Sequence, residues 1–224
     1  MDNMSLYLTI ALAPLVGSLL AGLFGKQIGR AGAHSVTILS VAVSTVLSAY
    51  VLWGFIDGSR SKFDENVYTW LTMGGLDFSV GFLVDSLTAM MMVVVTSVSL
   101  MVHIYTIGYM HDEETGYQRF FSYISLFTFS MLMLVMSNNF VQLFFGWEAV
   151  GLVSYLLIGF YFKRESAIFA NLKAFLVNRV GDFGFLLGIG LVLAYFGGSL
   201  RYADVFAYLP NVQHATSQLF PGVE

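Results

Sequence analysis

The sequence predicts an all-α, polytopic membrane protein, a bundle of about six transmembrane helices. Hydrophobic residues make up 57% of the chain and charged residues only 11%, whereas soluble domains average roughly 45–50% and about 25%. The mean hydropathy is correspondingly high, at +0.76. Six apolar stretches approach the length of about 20 residues that a helix needs to cross a bilayer. A β-barrel would require alternating polarity, and runs such as Met90–Val95 do not alternate.

The six stretches follow one another with short polar interruptions. Because backbone groups inside a bilayer must hydrogen-bond internally, we expect each stretch to be a helix. A signal peptide would have Lys or Arg before its apolar region, and none precedes the first stretch. We therefore interpret this stretch as a permanent span. Only Ser137–Asn139 separates the fourth stretch from the fifth, which predicts a tight helical hairpin. The predicted spans are 5–24, 34–55, 82–109, 120–136, 140–161 and 168–196.

Two segments outside these spans also have a predicted structure. The connection 56–81 contains β-prone runs on either side of Gly74-Gly75, a pattern typical of a β-hairpin. We predict an outer-side hairpin at about 66–80, with an irregular loop as the alternative. Hydropathy falls after the last span, and the pattern there favours a surface segment with a short helix at 201–209 that ends at Pro210.

The distribution of Lys and Arg predicts the orientation. Cytoplasmic loops of membrane proteins carry an excess of these residues. One side of the predicted bundle holds five of them and the other side three, namely Lys26, Arg30, Arg119, Lys163 and Arg164 against Arg60, Lys62 and Arg201. We therefore expect the first side to be cytoplasmic and the N-terminus to lie outside. The chain then divides into 1–81 (helices 1 and 2 with the outer loop), 82–200 (helices 3 to 6) and 201–224 (the surface segment).

Composition excludes several classes of function. The chain has no cysteine, which excludes a disulfide framework and thiolate metal or iron–sulfur sites. The net charge of −4 is dispersed, and no basic face predicts binding of nucleic acid. The polar run His111–Glu114 is interpreted as a solvated loop, because adjacent loop residues seldom converge on one metal ion. With no dinucleotide fingerprint and no phosphate loop, we expect no cofactor and no metal in this chain.

Glu148 is the main candidate for chemistry. It lies well inside the fifth span, where ionisable residues are costly and mark functional sites. No Lys or Arg lies one helical turn away, so its protonation would depend on a cation approaching from another helix. A proton relay needs that dependence, and we favour a relay over a static buried carboxyl. Gly146 and Gly151 flank the acid and would let a neighbouring helix come close.

The sixth span contains a second charged group. Arg179 and Asp182 are three residues apart, so they share a helix face and could pair. Such a pair is either purely structural or sets the electrostatic environment of Glu148. Lys173, nearer the cytoplasmic end, is interpreted as a side chain that extends to the membrane interface.

Polar residues form a stripe along one face of the third span, and the stripe ends at His103. Histidine titrates near neutral pH, so His103 could exchange protons with buried water. The alternative is hydrogen bonding between helices, which we favour for Thr96 and Ser99. Asp85, at the outer end, is interpreted as a residue that starts the helix.

Several long segments of the sequence resemble one known family. They are "GWEAVGLVSYLLIGF" (146–160), "LKAFLVNRVGDFGFLLG" (172–188), "VDSLTAMMMVVVTSVSLMVHIYTIGYMHDE" and "RFFSYISLFTFSMLMLV". These segments are similar to the fifth, sixth, third and fourth helices of the antiporter-like subunits of respiratory complex I, the family of bacterial subunit L and mitochondrial NADH dehydrogenase subunit 5. The resemblance covers nearly the whole chain.

The resemblance implies the first part of an antiporter-like, inverted-repeat fold and a role in the membrane arm. Such subunits translocate protons, driven by electron transfer elsewhere in an NADH:quinone oxidoreductase. By the family pattern Glu148 belongs to the proton path, Arg179 and Asp182 form the charged pair near it, and His103 lies on the polar face of the third helix. The implied partners are other complex I membrane subunits, the lipid bilayer and protons, in the bacterial inner membrane. NADH, flavin, iron–sulfur clusters and quinone would bind other subunits.

The chain also departs from the family pattern. Family members are longer, with a lysine partner for the glutamate on a broken seventh helix and a second, inverted set of helices. We therefore expect this chain to represent part of such a protein. The alternatives are a subunit of a multi-subunit sodium/proton antiporter, which shares the ancestral bundle, and an inactive structural fragment.

Overall fold

The computed structural model describes residues 2–73, 76–113 and 116–212. Within them, six helices are long and apolar enough to cross a membrane, which confirms the prediction of six spans. These helices are α1 (Asn3–Leu23), α2 (Gly25–Ile56), α3 (Ser86–Tyr109), α4 (Tyr117–Val135), α5 (Phe140–Ile158) and α6 (Glu165–Tyr195). A 3₁₀ turn (Gly159–Tyr161) prolongs α5, and a shorter helix, α7 (Tyr202–Val212), follows α6.

Two helices begin away from their predicted starts. The helical part of α2 begins at Gly25 rather than at 34, because helix is present on both sides of a kink at Gly29. This glycine has φ 68° and ψ −172°, a combination that side chains exclude. The third span begins at Ser86 rather than at 82, because the residues before it belong to a β-strand. Asp85 caps α3 by accepting a hydrogen bond from the Thr88 amide at 2.8 Å, which confirms its role at the helix start.

An antiparallel β-hairpin connects α2 to α3, which confirms the hairpin rather than the irregular loop. Strand β1 (Phe63–Met73) pairs with strand β2 (Leu76–Val84), so the hairpin is longer than the predicted 66–80. The glycines expected at its turn, 74 and 75, lie outside the described residues. Phe82 of β2 is buried in the main apolar core, which anchors the base of the hairpin to the helices.

A buried serine compensates for a proline in the middle of α1. Pro14 has no N–H, so the carbonyl of Ile10 loses its partner within the helix. Ser44 of α2 donates its hydroxyl to that carbonyl at 2.8 Å, and both residues are fully buried. The Pro14 carbonyl accepts a further hydrogen bond, from the Ser125 hydroxyl of α4 at 2.7 Å. These bonds connect α1 to α2 and α4 at a depth where unpaired backbone groups are costly.

The tight turn predicted between the fourth and fifth spans is present and forms a polar junction. Asn138 donates to the Asn66 side chain of β1 at 2.9 Å. The Gly81 amide of β2 donates to the Gln142 side chain of α5 at 2.8 Å. Asn139 caps α5 by accepting from the Gln142 amide at 2.8 Å. The turn therefore fixes the hairpin to the start of α5.

The helix after α6 differs from the prediction for the surface segment. The prediction that Pro210 ends this helix is wrong, since the helix runs from Tyr202 to Val212 with Pro210 inside it. A proline removes one backbone donor, and the two residues after it remain helical here. The rest of the predicted surface segment, 213–224, lies outside the described residues.

The least enclosed of the six long helices is α6. Within the described residues it packs chiefly against α5 and the 3₁₀ turn. Ile189 is its one buried residue, and large apolar side chains such as Val180 and Phe183 are exposed. The α5–α6 pair therefore positions the charged side chains of both helices.

Candidate functional site

A glycine holds α5 against α4. A Cβ added at Gly146 would lie 2.8 Å from the Leu134 Cα, so this backbone approach requires glycine. The close approach expected at Gly151 is not found, since no described atom lies within 4 Å of a Cβ built there. Glu148 lies two residues beyond Gly146, about 200° around the helix. It therefore faces away from α4, on the side where α6 packs.

Arg179 of α6 meets Glu148 across the interface between the two helices. Its Nη1 atom donates to Glu148 Oε2 and also, over 3.2 Å, to Asp182 Oδ2. The second contact confirms that Arg179 and Asp182 pair across one helical turn. The guanidinium carbon lies 4.8 Å from the centre of the Phe175 ring, a cation–π contact that holds the side chain in place. Glu148, which has no cation on its own helix, thus obtains one from the next helix.

Trp147, which the sequence pattern did not reveal, is a fourth member of this cluster. Trp147 donates its indole N–H to Asp182 Oδ1 at 3.0 Å, and its ring packs edge-on against Phe185 at 5.8 Å between centroids. Asp182 therefore accepts from an indole on one oxygen and from Arg179 on the other. Two adjacent residues of α5 thus contact the two charged residues of α6. Glu148 contacts Arg179, and Trp147 contacts Asp182. A tryptophan next to an acid within an apolar span was the available signal, because an indole N–H away from water needs an acceptor.

The cluster combines two carboxylates with one guanidinium, so it carries a net charge of −1 when all three groups are ionised. It is partly open, since 36% of the Arg179 side chain, 23% of Glu148 and 12% of Asp182 is exposed. A cavity of about 560 Å³ between α5 and α6 adjoins it, and Ser154, Asn178 and Asp182 are among its lining residues. The rest of its lining is mostly apolar, so these three side chains supply most of its polar groups. The single guanidinium thus contacts both carboxylates.

His103 lies in a separate part of the bundle. Its Nδ1 atom is 2.8 Å from the Ser99 carbonyl, and the Ser99 hydroxyl is hydrogen-bonded to Thr128 of α4. Its Nε2 atom is buried without a hydrogen-bond partner among the described residues. Ser99 thus joins two helices as expected. Thr96 does not, since its hydroxyl donates to the Met92 carbonyl of its own helix at 2.7 Å.

The remaining candidates lie outside the charged cluster. Lys173 is exposed on α6. His111 and Asp112 contact each other at 3.0 Å between Nδ1 and Oδ1, with both side chains largely in solvent. Glu114, at the end of this polar run, lies outside the described residues. The part of the chain that the structure describes contains no group of three or more potential metal ligands.

Two family models match the chain. The model for the N-terminus of chain 5 of NADH-ubiquinone oxidoreductase (complex I) matches residues 70–121. The model for the transmembrane region of NADH:quinone oxidoreductase and Mrp antiporters matches residues 137–222, which include the whole charged cluster. The two matches together cover more than half of the chain.

Relatives at high identity carry the same description. NADH-quinone oxidoreductase subunit L of Neisseria meningitidis serogroup B is 88% identical over 224 residues, which are 100% of this chain and 33% of that protein. The subunit L of Rhodobacter capsulatus is 48% identical over 209 residues, covering 91% of this chain and 29% of that protein. NADH-ubiquinone oxidoreductase chain 5 of Neurospora crassa is 43% identical over 210 residues, covering 92% and 28%. The chain spans about a third of the length of these curated relatives.

A solved structure has the same fold. A chain of the membrane-bound sulfane sulfur reductase, an archaeal respiratory membrane complex, matches with a TM-score of 0.72 and 20% identity, covering 91% of this chain and 30% of that chain. The likeness at this identity concerns the fold alone. The family models and the relatives, by contrast, show that this multi-pass membrane chain belongs to the complex I chain 5 family and corresponds to the N-terminal portion of subunit L.

Proposed function

We propose that this chain forms part of a proton-translocating subunit in the membrane arm of an NADH:quinone oxidoreductase. The observation that carries the proposal is the contact of Glu148 on α5 with Arg179 on α6, within two apolar spans and beside a cavity that Ser154 and Asn178 help to line. Ionisable residues within membrane helices are costly and mark ion pathways. We assign the proton path to Glu148, Arg179 and Asp182, with His103 as a separate proton-exchanging group.

The proposed mechanism uses the dependence of Glu148 on its cation. While Arg179 donates to the Glu148 carboxylate, the ionised form is favoured. When the cation is withdrawn, desolvation favours the protonated form. Asp182 keeps the guanidinium partly neutralised throughout, since it lies on the same helix. Alternate approach and withdrawal of the cation would therefore release and take up one proton at Glu148.

The proposed context is a multi-subunit complex in the bacterial inner membrane, with the N-terminus outside. Other membrane subunits of the complex are the proposed partners, together with lipid and protons. NADH, flavin, iron–sulfur clusters and quinone are assigned to those other subunits. In this proposal α3 to α6 form the translocating region (82–200), and the two preceding helices with the hairpin (1–81) support it.

A second candidate is a subunit of a sodium/proton antiporter. One observation favours it, namely that the model matching 137–222 describes both NADH:quinone oxidoreductases and Mrp antiporters. Identification of the partners distinguishes the two. We expect tagged protein purified from its native membrane to carry NADH-oxidising subunits and quinone-dependent activity. Recovery with cation-antiporter subunits would overturn the first candidate, and recovery alone would favour an inactive structural fragment.

The test of the mechanism is Glu148→Gln in the assembled complex, with protons translocated per NADH oxidised as the measurement. Glutamine keeps the size and loses the proton site, so we expect the ratio to fall. Glu165→Gln is the matched control, because Glu165 is an exposed acid in the first turn of α6. An unchanged ratio for Glu148→Gln in a complex that assembles and oxidises NADH would refute the proposed relay.

A further inference from the structure

An apolar groove lies on the bundle away from the charged cluster. It encloses about 780 Å³ between α3, α4 and the end of α5. Val94, Val98 and Val102 line it from successive turns of α3, and Phe127 and Leu157 are on its other walls. Val94, Val98 and Val102 are 42%, 57% and 41% exposed, so the groove is open where these residues line it. Its walls match a long, flexible hydrocarbon better than a polar solute.

The dimensions of the groove suit one acyl chain. On α3 it runs from Val94 to Tyr109, about 22 Å along the helix axis. One leaflet of bilayer hydrocarbon is roughly 15 Å thick. The groove is therefore long enough to hold a chain from the membrane interface to the midplane.

A basic pocket adjoins the groove at one end. It encloses about 210 Å³, and its charged lining residues are Arg119, Lys163 and Arg164 with Glu113. Tyr161 lines both the groove and this pocket, so the two are contiguous. The Arg164 guanidinium carbon lies 4.6 Å from the centre of the Tyr161 ring. Aromatic and basic side chains in this arrangement are typical of the level of lipid headgroups.

The charge of the pocket is not balanced within the described structure. Three cations face one carboxylate among its described lining residues, and none of the three forms an ion pair in the part of the chain that the structure describes. Arg119 instead lies over the rings of Phe160 and Phe162, at 5.1 and 5.4 Å. An anion of the lipid headgroup would complement this charge.

We propose that α3, α4 and the end of α5 form a binding site for an anionic phospholipid. The basic pocket holds the headgroup phosphate, and the groove holds an acyl chain. The pocket lies on the side with the larger number of Lys and Arg in its loops, where membranes carry anionic lipid. The site is independent of the proton path, because it shares no residue with the charged cluster.

The test is a lipid titration of the purified 224-residue chain in detergent, followed by native mass spectrometry. The two probes are phosphatidylglycerol and phosphatidylcholine with identical acyl chains. We expect tighter binding of phosphatidylglycerol. The variant K163Q/R164Q should weaken it by about fivefold for each cation removed, and so about 25-fold, with little change for phosphatidylcholine. Both residues are exposed, so the variant should fold normally.

Matched variants separate the two parts of the site. K26Q/K62Q makes the same change of charge at two exposed lysines outside the pocket and should leave binding within about twofold. Val98→Trp should fill the groove and weaken both lipids, whereas Met101→Trp, at an exposed residue that does not line it, should not. Three results would overturn the proposal: equal affinity for the two lipids, equal loss of binding in K163Q/R164Q and K26Q/K62Q, or unchanged binding in Val98→Trp.

Discussion

Replacing Ser44 with alanine should destabilise the bundle much more when Pro14 is present than when it is absent. The Ser44 hydroxyl satisfies the Ile10 carbonyl, which the proline leaves without a partner in its own helix. A buried acceptor without a partner costs about 1–3 kcal/mol, whereas measured side-chain hydrogen bonds between membrane helices average about 0.6 and reach about 1.7 kcal/mol. We therefore expect Ser44→Ala to lower the free energy of unfolding by about 1–1.5 kcal/mol.

The same substitution should cost much less when residue 14 is alanine. The new N–H of Pro14→Ala can donate to the Ile10 carbonyl within α1, so the Ser44 hydroxyl becomes redundant. We expect Ser44→Ala then to cost about 0.5 kcal/mol or less, which gives a coupling of about 1 kcal/mol between the two sites.

The measurement is a double-mutant cycle of four proteins, unfolded with SDS in mixed micelles and followed by circular dichroism. Ser130→Ala is the control, because this buried serine donates to the Leu126 carbonyl of its own helix at 2.9 Å, a group that already has a backbone partner. It should cost less than about 0.5 kcal/mol. Equal costs of Ser44→Ala in both backgrounds would refute the compensation.

Three further outcomes are expected. Gly146→Ala should cost more than about 2 kcal/mol in the same SDS assay, because its Cβ would overlap the α4 backbone, whereas Gly151→Ala meets open space and should be neutral. Asp85→Ala should cost about 1 kcal/mol through loss of the α3 cap, and Asp85→Asn should restore most of it. Burial raises the pKa of Tyr202, against a weaker opposing effect of its hydrogen bond with the Ser137 hydroxyl. The contribution of the neutral phenol to stability is therefore complete at pH values below the unfolded-state pKa of about 10. It is lost as the pH rises through the pKa of the folded state. Tyrosinate absorbance, compared with Tyr202→Phe, should reveal a group that titrates above its ordinary range, and ordinary titration would contradict this.

Apolar length and local pattern made most of the fold predictable. The six spans depend on the fact that backbone inside hydrocarbon has few alternatives to helix, and the hairpin depends on β-prone runs around a glycine pair. The differences arise where local energy terms compete. At Gly29 a residue without a side chain lets helix continue around a kink, and at Pro210 the loss of one donor does not end the helix.

The charged cluster was predictable in its members and less so in its connections. Spacing along one helix is enough to pair Arg179 with Asp182. The contact between Glu148 and Arg179 depends instead on the packing of α5 against α6, which periodicity alone does not fix. The indole of Trp147 was missed for the same reason, because its acceptor lies on another helix.

The division of the cluster between two helices has a consequence for how it would respond to movement. Arg179 and Asp182 belong to one helix, so a sliding or rotation of α6 would leave their contact intact. The contact with Glu148 joins two helices and would break under the same motion. A displacement of α6 along α5 would therefore change the charge partner of a single carboxylate and leave the pair on α6 unaltered.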